Sequence, residues 1–361
     1  MMRQVIPVRL GPRSYNIAIE PNAFPSKLSR HPFLRSGTQI LIIADARLGK
    51  VSRKLAHSLG KRAHLVLLRG GERTKDLSVL RRLYSAAARA RLDRKSFIIA
   101  IGGGVIGDCA GFFAATYLRG LRVIHVPTTL VAQVDSAIGG KTGVNLPNGK
   151  NLIGAFHQPS LVLVDPRLLK TLPDREFRSG LAEVIKYGII ADPQLFSRLE
   201  KHMPRILKRD PAELACIIQR SCRIKANVVS RDERETTGLR AILNFGHTLG
   251  HGIEAAAHYR SLHGEAIALG IIGAAHLSEK LAGLPSASAQ RIQKLIRAAK
   301  LPVKLSPSVK TRDILKAMKL DKKSEGGAHR FVLATRIGKV RTGVTVKESQ
   351  VQDAVRLLRG K

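Results

Sequence analysis

Tryptophan is absent from these 361 residues, and aromatic side chains make up only 4% of them. Aliphatic residues must therefore fill the interior. A single-strand nucleic-acid surface, which needs aromatics for base stacking, is disfavoured. Cysteine occurs only at Cys109, Cys216 and Cys222, with no CxxC spacing. Such a sparse, odd set argues against thiolate metal sites and fits a reducing compartment, each thiol serving as a small core residue. Long apolar runs are missing as well. The stretch FIIAIGGGVIGDCAGFFAAT comes nearest, but Asp108 and five glycines interrupt it, so no membrane span is expected. The opening MMRQVIPVRLGPRSYNIAIE lacks the continuous apolar segment of a signal peptide, and a cytoplasmic location is expected.

Acidic residues are the other scarcity: 26 Asp and Glu stand against 62 Lys and Arg, a net charge of +36. A polyanion partner is one account of such an excess. The basic residues, however, are scattered along amphipathic segments such as RRLYSAAARARLDRKS and RIQKLIRAAK, and they form no tail. A solvated basic surface is the simpler reading, and no specific nucleic-acid partner is expected.

At this length two domains are expected, and 44% hydrophobic residues supply ample core. Up to residue 172 the runs TQILIIAD, AHLVLL, SFIIAIGG, LRVIHVP and SLVLVD are apolar and β-branched, as strands covered on both faces must be. Helical patterns such as LSVLRRLYSAAARARL separate them. This alternation predicts an α/β nucleotide-binding domain over 1–172 with a mostly parallel sheet, and QVIPVRL and YNIAIE predict a hairpin on its edge. Over 173–361 the period changes to 3.6, predicting a mostly α-helical domain that ends in a β-like piece, HRFVLATRIGKVRTGVTV. A ligand would be expected in the cleft between the two.

Several segments carry chemistry. IGGGVIGD follows a strand and opens a helix, where glycines let backbone amides approach a phosphate; simple tight packing is the alternative. In VPTTLVAQVDSAIGGKTGVNLPNGKNLIGAF, the lysines of GGK and GKN read together as an anion site. Glu183 and Lys186 in LAEVIKYG share a helical face among apolar neighbours, so the pair faces inward, and a buried carboxylate needs a cation. The segment LNFGHTLGHGIEAAAHYRSLHGEA holds four of the 12 histidines. His247 and His251 are one helical turn apart and form the ligand pair that spacing favours; His263 with a carboxylate would complete an N/O metal site. His258 and His276 read as ordinary packing or surface residues.

Together IGGGVIGD, VPTTLVAQVDSAIGGKTGVN, GKNLIGAFHQP, SGLAEVIKYG, LNFGHTLGHGIE, LHGEA and LDKK resemble the 3-dehydroquinate synthase family, in the family's order and across essentially the whole chain. The resemblance implies an N-terminal NAD-binding α/β domain, an α-helical metal domain and a homodimer. It implies conversion of 3-deoxy-D-arabino-heptulosonate 7-phosphate into 3-dehydroquinate and phosphate. That reaction runs through transient oxidation, phosphate elimination, re-reduction and an intramolecular aldol closure, so the enzyme is a lyase of the shikimate pathway. It also implies one divalent metal per chain, Zn²⁺ or Co²⁺, held by Glu183, His247 and His263, with His251 left for proton chemistry. Substrate contacts would come from Lys141, Asn151, Lys225, Arg240, Asn244, His251, Asp135, Lys186 and the Lys322/Lys323 pair, with Arg119 reaching across the dimer. NAD would lie along Gly71, Glu72, Arg73, Thr74 and Lys75, and along Gly104, Val105, Ile106, Gly107 and Asp108. It would also meet Thr128, Thr129, Lys141, Lys150, Leu168, Leu169, Lys170 and Thr171, with Asp45 near the adenosine ribose.

Two places depart from the family pattern: Thr74 replaces a more usual aromatic, and Thr237 looks like an insertion before Gly238. Two rival readings share the same plan. A metal-dependent polyol dehydrogenase would have no use for the basic substrate contacts, and another sugar-phosphate cyclase would act on a substrate without the carboxylate.

Overall fold

The computed structural model describes residues 3–147, 149–320, 324–325 and 328–360. The chain divides into two compact units, one made of Met1–Leu172 with Ser221–Arg234, the other of Pro173–Arg220 with Glu235–Lys361.

The first unit is built on strands β1 (Gln4–Val8), β2 (Tyr15–Ile19), β3 (Ile40–Asp45), β4 (Ala63–Leu68), β5 (Phe97–Gly102), β6 (Arg122–Pro127) and β9 (Leu161–Val164). They form one sheet in the order β1-β2-β9-β6-β5-β3-β4. Every neighbouring pair is parallel except the β1–β2 hairpin at the edge. The single-turn helices α1 (Ser26–Ser29) and α2 (Pro32–Arg35) precede α3 (Gly49–Leu59), α4 (Leu77–Arg89) and α5 (Gly104–Thr116). Because side chains alternate along a strand, the apolar runs feed two cores at once. Leu41, Ile43, Ile98 and Ala100 pack with Leu80 and Leu83 of α4 and Cys109 and Phe113 of α5. Ile40, Ile42, Ala44, Phe97 and Ile99 pack on the other face with Leu55 and Leu59 of α3. That double burial is why these strands read as continuous β-branched stretches rather than as alternating ones.

The order in which strands are added reverses beside β3. Its crossover helix α3 leads to β4 on one side, while β5, its neighbour on the other side, leads through α5 to β6. The loops leaving the carboxyl ends of β3 and β5 therefore diverge, at Asp45 and at the triple glycine, and such a switch point is where open α/β sheets bind ligands. The Gly-rich GGKTGVNLPNGKNLIGAF stretch, read from sequence as a lysine-bearing turn region, also contains an antiparallel hairpin, β7 (Lys141–Leu146) with β8 (Gly149–Phe156).

The second unit contains α6 (Asp174–Ala191), α7 (Pro193–Leu207), the first half of α8 (Pro211–Arg231), α9 (His247–Ala256), α10 (His263–Leu281), α11 (Ser286–Ala298), α12 (Thr311–Leu320) and α13 (Glu348–Leu358). Strands β10 (Ser324–Glu325), β11 (Ala328–Arg336) and β12 (Lys339–Val346) form a small antiparallel sheet, so the expected β-like piece is a hairpin. The remaining half of α8 belongs to the first unit, where Cys222 Sγ donates to Gln133 O at 3.3 Å and Ser230 Oγ accepts from Arg9 N at 2.9 Å. The fold is thus an α/β unit with a mostly parallel sheet and a helix-dominated second unit, as the periodicities anticipate. Among the described residues, no helix is long and apolar enough to cross a membrane.

Candidate active site

The buried centre of the second unit is Glu183. Two turns of apolar residues surround it on α6, and its side chain is 0% exposed. Lys186, one turn on and 2% exposed, forms an ion pair with it. Helices α9 and α10 each deliver a histidine at their first turn: His247 Nε2 stands 3.6 Å and His263 Nε2 3.4 Å from Glu183 Oε1. One ligand atom from each of Glu183, His247 and His263 falls within 4.8 Å of the others. Neither carboxylate oxygen accepts a hydrogen bond of good geometry, a costly state for a buried anion that a cation would relieve. The donor set, two imidazoles and a carboxylate, suits a zinc-like ion that keeps an open coordination position.

Spacing alone pairs His247 with His251, and the structure separates their situations. The His251 ring lies 5.2 Å from His247 and 6.0 Å from His263 between centroids, yet it stays outside the ligand group and is exposed. The i, i+4 pattern finds a shared helical face; it cannot find Glu183, which arrives from α6.

Electrostatics follow from burial and neighbours. Burial by itself raises the Glu183 carboxyl pKa, but Lys186, His247 and His263 outweigh it and hold the pKa well below the usual range. Burial and then Lys186 push His247 down. At His263 burial also lowers the pKa, but the adjacent carboxylates of Glu183 and Glu254 carry it up to about 10 in the metal-free protein. Metal binding through the His263 imidazole therefore releases a proton. Arg240 is buried beside Glu235, 3.6 Å away, and shares with Asn244 the turn Leu239–Asn244, which Gly238 starts at φ +78°. Lys322 and Lys323 lie outside the described residues.

The first unit gathers a second, separate set. Asp45 ends β3, accepts from Arg47 N at 2.9 Å and pairs with the Arg47 guanidinium. Gly71, at φ +104°, admits the turn Glu72–Thr74, and buried Lys75 follows. Lys75 Nζ meets Asp108 Oδ2 at 2.6 Å and bonds to Asn151 Oδ1, which joins the turn to α5 and to β8. Gly104, Val105, Ile106, Gly107 and Asp108 form the first turns of α5. A Cβ on Gly104 would lie 2.8 Å from Ser136 Oγ, and one on Gly102 would lie 2.6 Å from Ile106, so close packing requires glycine at both positions. Thr128 N donates to Gly102 O at 2.9 Å, and Thr129 lies against Gly103. Leu168, Leu169, Lys170 and Thr171 sit in the turn Pro166–Thr171, capped by Asp165. Lys141 begins β7, and Lys150 lies on β8, 4.0 Å from Glu72. Lys225, from the returning half of α8, is buried and pairs with Asp135 at 2.6 Å. Leu118 and Arg119 both adopt left-handed φ, at +51° and +66°. Thr74 is buried, and its hydroxyl bonds to Arg69 O, so this residue satisfies its own polar group where an aromatic would not.

Comparison with known proteins decides the family. The chain matches the 3-dehydroquinate synthase N-terminal model over residues 65–179 and the C-terminal model over 180–324. It is 47% identical to the 3-dehydroquinate synthase of a Nostoc species and 46% identical to that of Gloeobacter violaceus, covering 98% of this chain in each case and 98% and 99% of the relatives. The chain belongs to the 3-dehydroquinate synthase family. Among solved structures it resembles a 2-deoxy-scyllo-inosose synthase complexed with carbaglucose-6-phosphate, NAD⁺ and Co²⁺, at 28% identity, TM-score 0.88, with 98% of this chain and 100% of that one covered. The 2-epi-5-epi-valiolone synthase of Streptomyces hygroscopicus, with NAD⁺ and Zn²⁺ bound, is also 28% identical, at TM-score 0.86 and 95% and 96% coverage.

Two residues that sequence reading passed over each brace one of these sets from within. Asn145 donates through Nδ2 to Glu72 Oε1 at 2.8 Å, accepts from Asn151 N at 2.9 Å, and donates through its backbone N to Lys75 O at 2.8 Å. It thereby ties the Glu72–Thr74 turn to both strands of the hairpin and helps hold Asn151 at its left-handed φ of +55°. Glu254, inside the quoted LGHGIE run, contacts His263 at 3.2 Å. Neither carries a signal in spacing, because each acts through a partner distant in sequence.

Proposed function

We propose that this chain is a 3-dehydroquinate synthase, a lyase of the shikimate pathway that converts 3-deoxy-D-arabino-heptulosonate 7-phosphate into 3-dehydroquinate and phosphate. The observation that carries the reading is the convergence of Glu183, His247 and His263 at a buried, cation-seeking carboxylate in a chain of this family. Relatives of that name are 44–47% identical, whereas the neighbouring cyclases of other substrates are 27–28% identical. When bound, NAD⁺ accepts and returns a hydride, and a divalent metal polarises substrate oxygens.

The chain's own residues bind, orient and move protons. Glu183, His247 and His263 hold the metal, Zn²⁺ or Co²⁺, and Lys186 keeps the carboxylate ionised before it arrives. NAD lies along Gly71 to Lys75, the start of α5 from Gly104 to Asp108, Thr128, Thr129, Lys141, Lys150 and Leu168 to Thr171. Asp45, at the end of β3, faces the adenosine ribose. Lys225 is buried, and Asp135 stabilises its charge, so a cation is held in place to meet an anionic substrate group. Lys141, Asn151, Arg240, Asn244 and the Lys322/Lys323 pair share the carboxylate, hydroxyls and phosphate. His251, exposed beside the ligand trio, carries protons during elimination. The working unit is a cytoplasmic homodimer in which Arg119 extends into the site of the partner subunit.

Incubation with substrate, NAD⁺ and zinc tests this reading. Phosphate should be released stoichiometrically with no growth of absorbance at 340 nm, because the hydride returns in each turnover. NADH accumulating in step with product would replace the reading with a dehydrogenase.

A further inference from the structure

His263 needs its Nε2 lone pair to serve as a ligand, so its proton must sit on Nδ1, and the structure contains a group that enforces this. Glu254 belongs to α9, is 8% exposed, and places Oε2 3.2 Å from His263 Nδ1. An ionised carboxylate only accepts, so Nδ1 must donate and Nε2 is left facing Glu183 Oε1 at 3.4 Å. His247 is arranged in parallel: its Nδ1 lies 3.2 Å from the Phe245 carbonyl, which also only accepts. The two supports differ in charge and reach. The Phe245 carbonyl is neutral and two residues from its histidine, whereas Glu254 brings a negative charge and joins the helix of one ligand to the helix of the other. We propose that Glu254 is the positioning residue of the metal site: it fixes the tautomer and orientation of His263, strengthens its Nε2 as a donor, and locks α9 to α10. This rests on the reading of Glu183, His247 and His263 as the ligands. A carboxylate behind a ligating imidazole is a recurrent device, and its loss weakens metal binding by about 10–100-fold.

The test compares full-length wild type, Glu254→Gln and Glu254→Ala after metal removal. Zinc affinity is measured by competition with a chromophoric chelator, and site geometry by the visible spectrum of the Co²⁺ form. Glu254→Ala should bind zinc about 10–100-fold more weakly, with an altered Co²⁺ spectrum. Glu254→Gln, which keeps an acceptor but loses the charge, should show a smaller loss, and both should keep wild-type NAD affinity. The isosteric glutamine keeps the test open should the alanine variant fail to fold. Wild-type zinc affinity in both variants overturns the role of Glu254 while leaving the ligand trio standing. A wild-type chain that takes up no zinc overturns the trio and the role of Glu254 together.

Discussion

Gly270 on α10 allows the two histidine helices to approach to backbone contact. A Cβ built there would lie 2.0 Å from Gly246 O and 2.7 Å from Gly250 N, and Gly246 immediately precedes His247. Ordinary van der Waals contact begins at 3.4 Å, so Gly270→Ala requires the start of α9 and α10 to part by roughly 1.4 Å. Alanine gains about 1 kcal/mol of helix propensity over glycine, and overpacking of this kind costs about 1–3 kcal/mol. The obstacle is backbone on both sides and cannot rotate away, so the cost should win, with a net loss of up to about 2 kcal/mol. The functional loss should be larger, because metal–ligand distances tolerate only about 0.2 Å and His247 moves with Gly246. Thermal unfolding of the metal-free protein should show the first effect, and zinc retained after dialysis the second. A variant as stable as wild type that still holds one zinc would refute the claim that this glycine sets the spacing of the ligand helices.

The two remaining predictions concern histidines. His247→Ala, His263→Ala and Glu183→Ala should each lose metal and activity together, while His251→Ala should retain about one metal per chain and bind NAD yet turn over about 10²–10⁴-fold more slowly; a metal-free His251→Ala protein would mean that spacing names the ligands. His125, buried on β6, has its pKa lowered to about 4 by burial and then by His157. A depressed histidine favours the neutral folded form, so its contribution is present above about pH 6.5 and is lost as pH falls toward 4, up to about 3 kcal/mol. Urea unfolding between pH 7 and 4.5 should therefore show a shallower acid loss for His125→Leu than for wild type, and identical slopes would discount the burial.

The sheet was legible in the sequence because burial on both faces leaves β3, β5, β6 and β9 almost wholly apolar and rich in β-branched residues, with Asp45, Arg122 and His125 as the exceptions. The β7–β8 hairpin was not, since its Gly, Asn and Lys content hides any alternation. At the site, the inward-facing Glu183–Lys186 pair followed from its apolar neighbours on α6. The partnership of Glu183 with His247 and His263 came only through resemblance, because it joins three helices across 80 residues of sequence. Pairs such as Lys225 with Asp135, 90 residues apart, and the clamp formed by Asn145 depend on how the chain is folded back and leave no local pattern.

The return of Ser221–Arg234 to the first unit has a consequence for biosynthesis and for dissection of the protein. On a translating ribosome the strands β1 to β9 emerge first, but the partner of Asp135, the thiol that bonds to Gln133 O and the hydroxyl that accepts from Arg9 N are encoded about sixty residues after β9. The nascent sheet must wait, with part of its surface uncovered, while most of α6 to α8 is synthesised. A gene fragment that stops at Leu172 would never supply the missing helix. An independently expressed first unit thus needs the segment Ser221–Arg234 restored, by a linker or as an added peptide, before it can reach its native state.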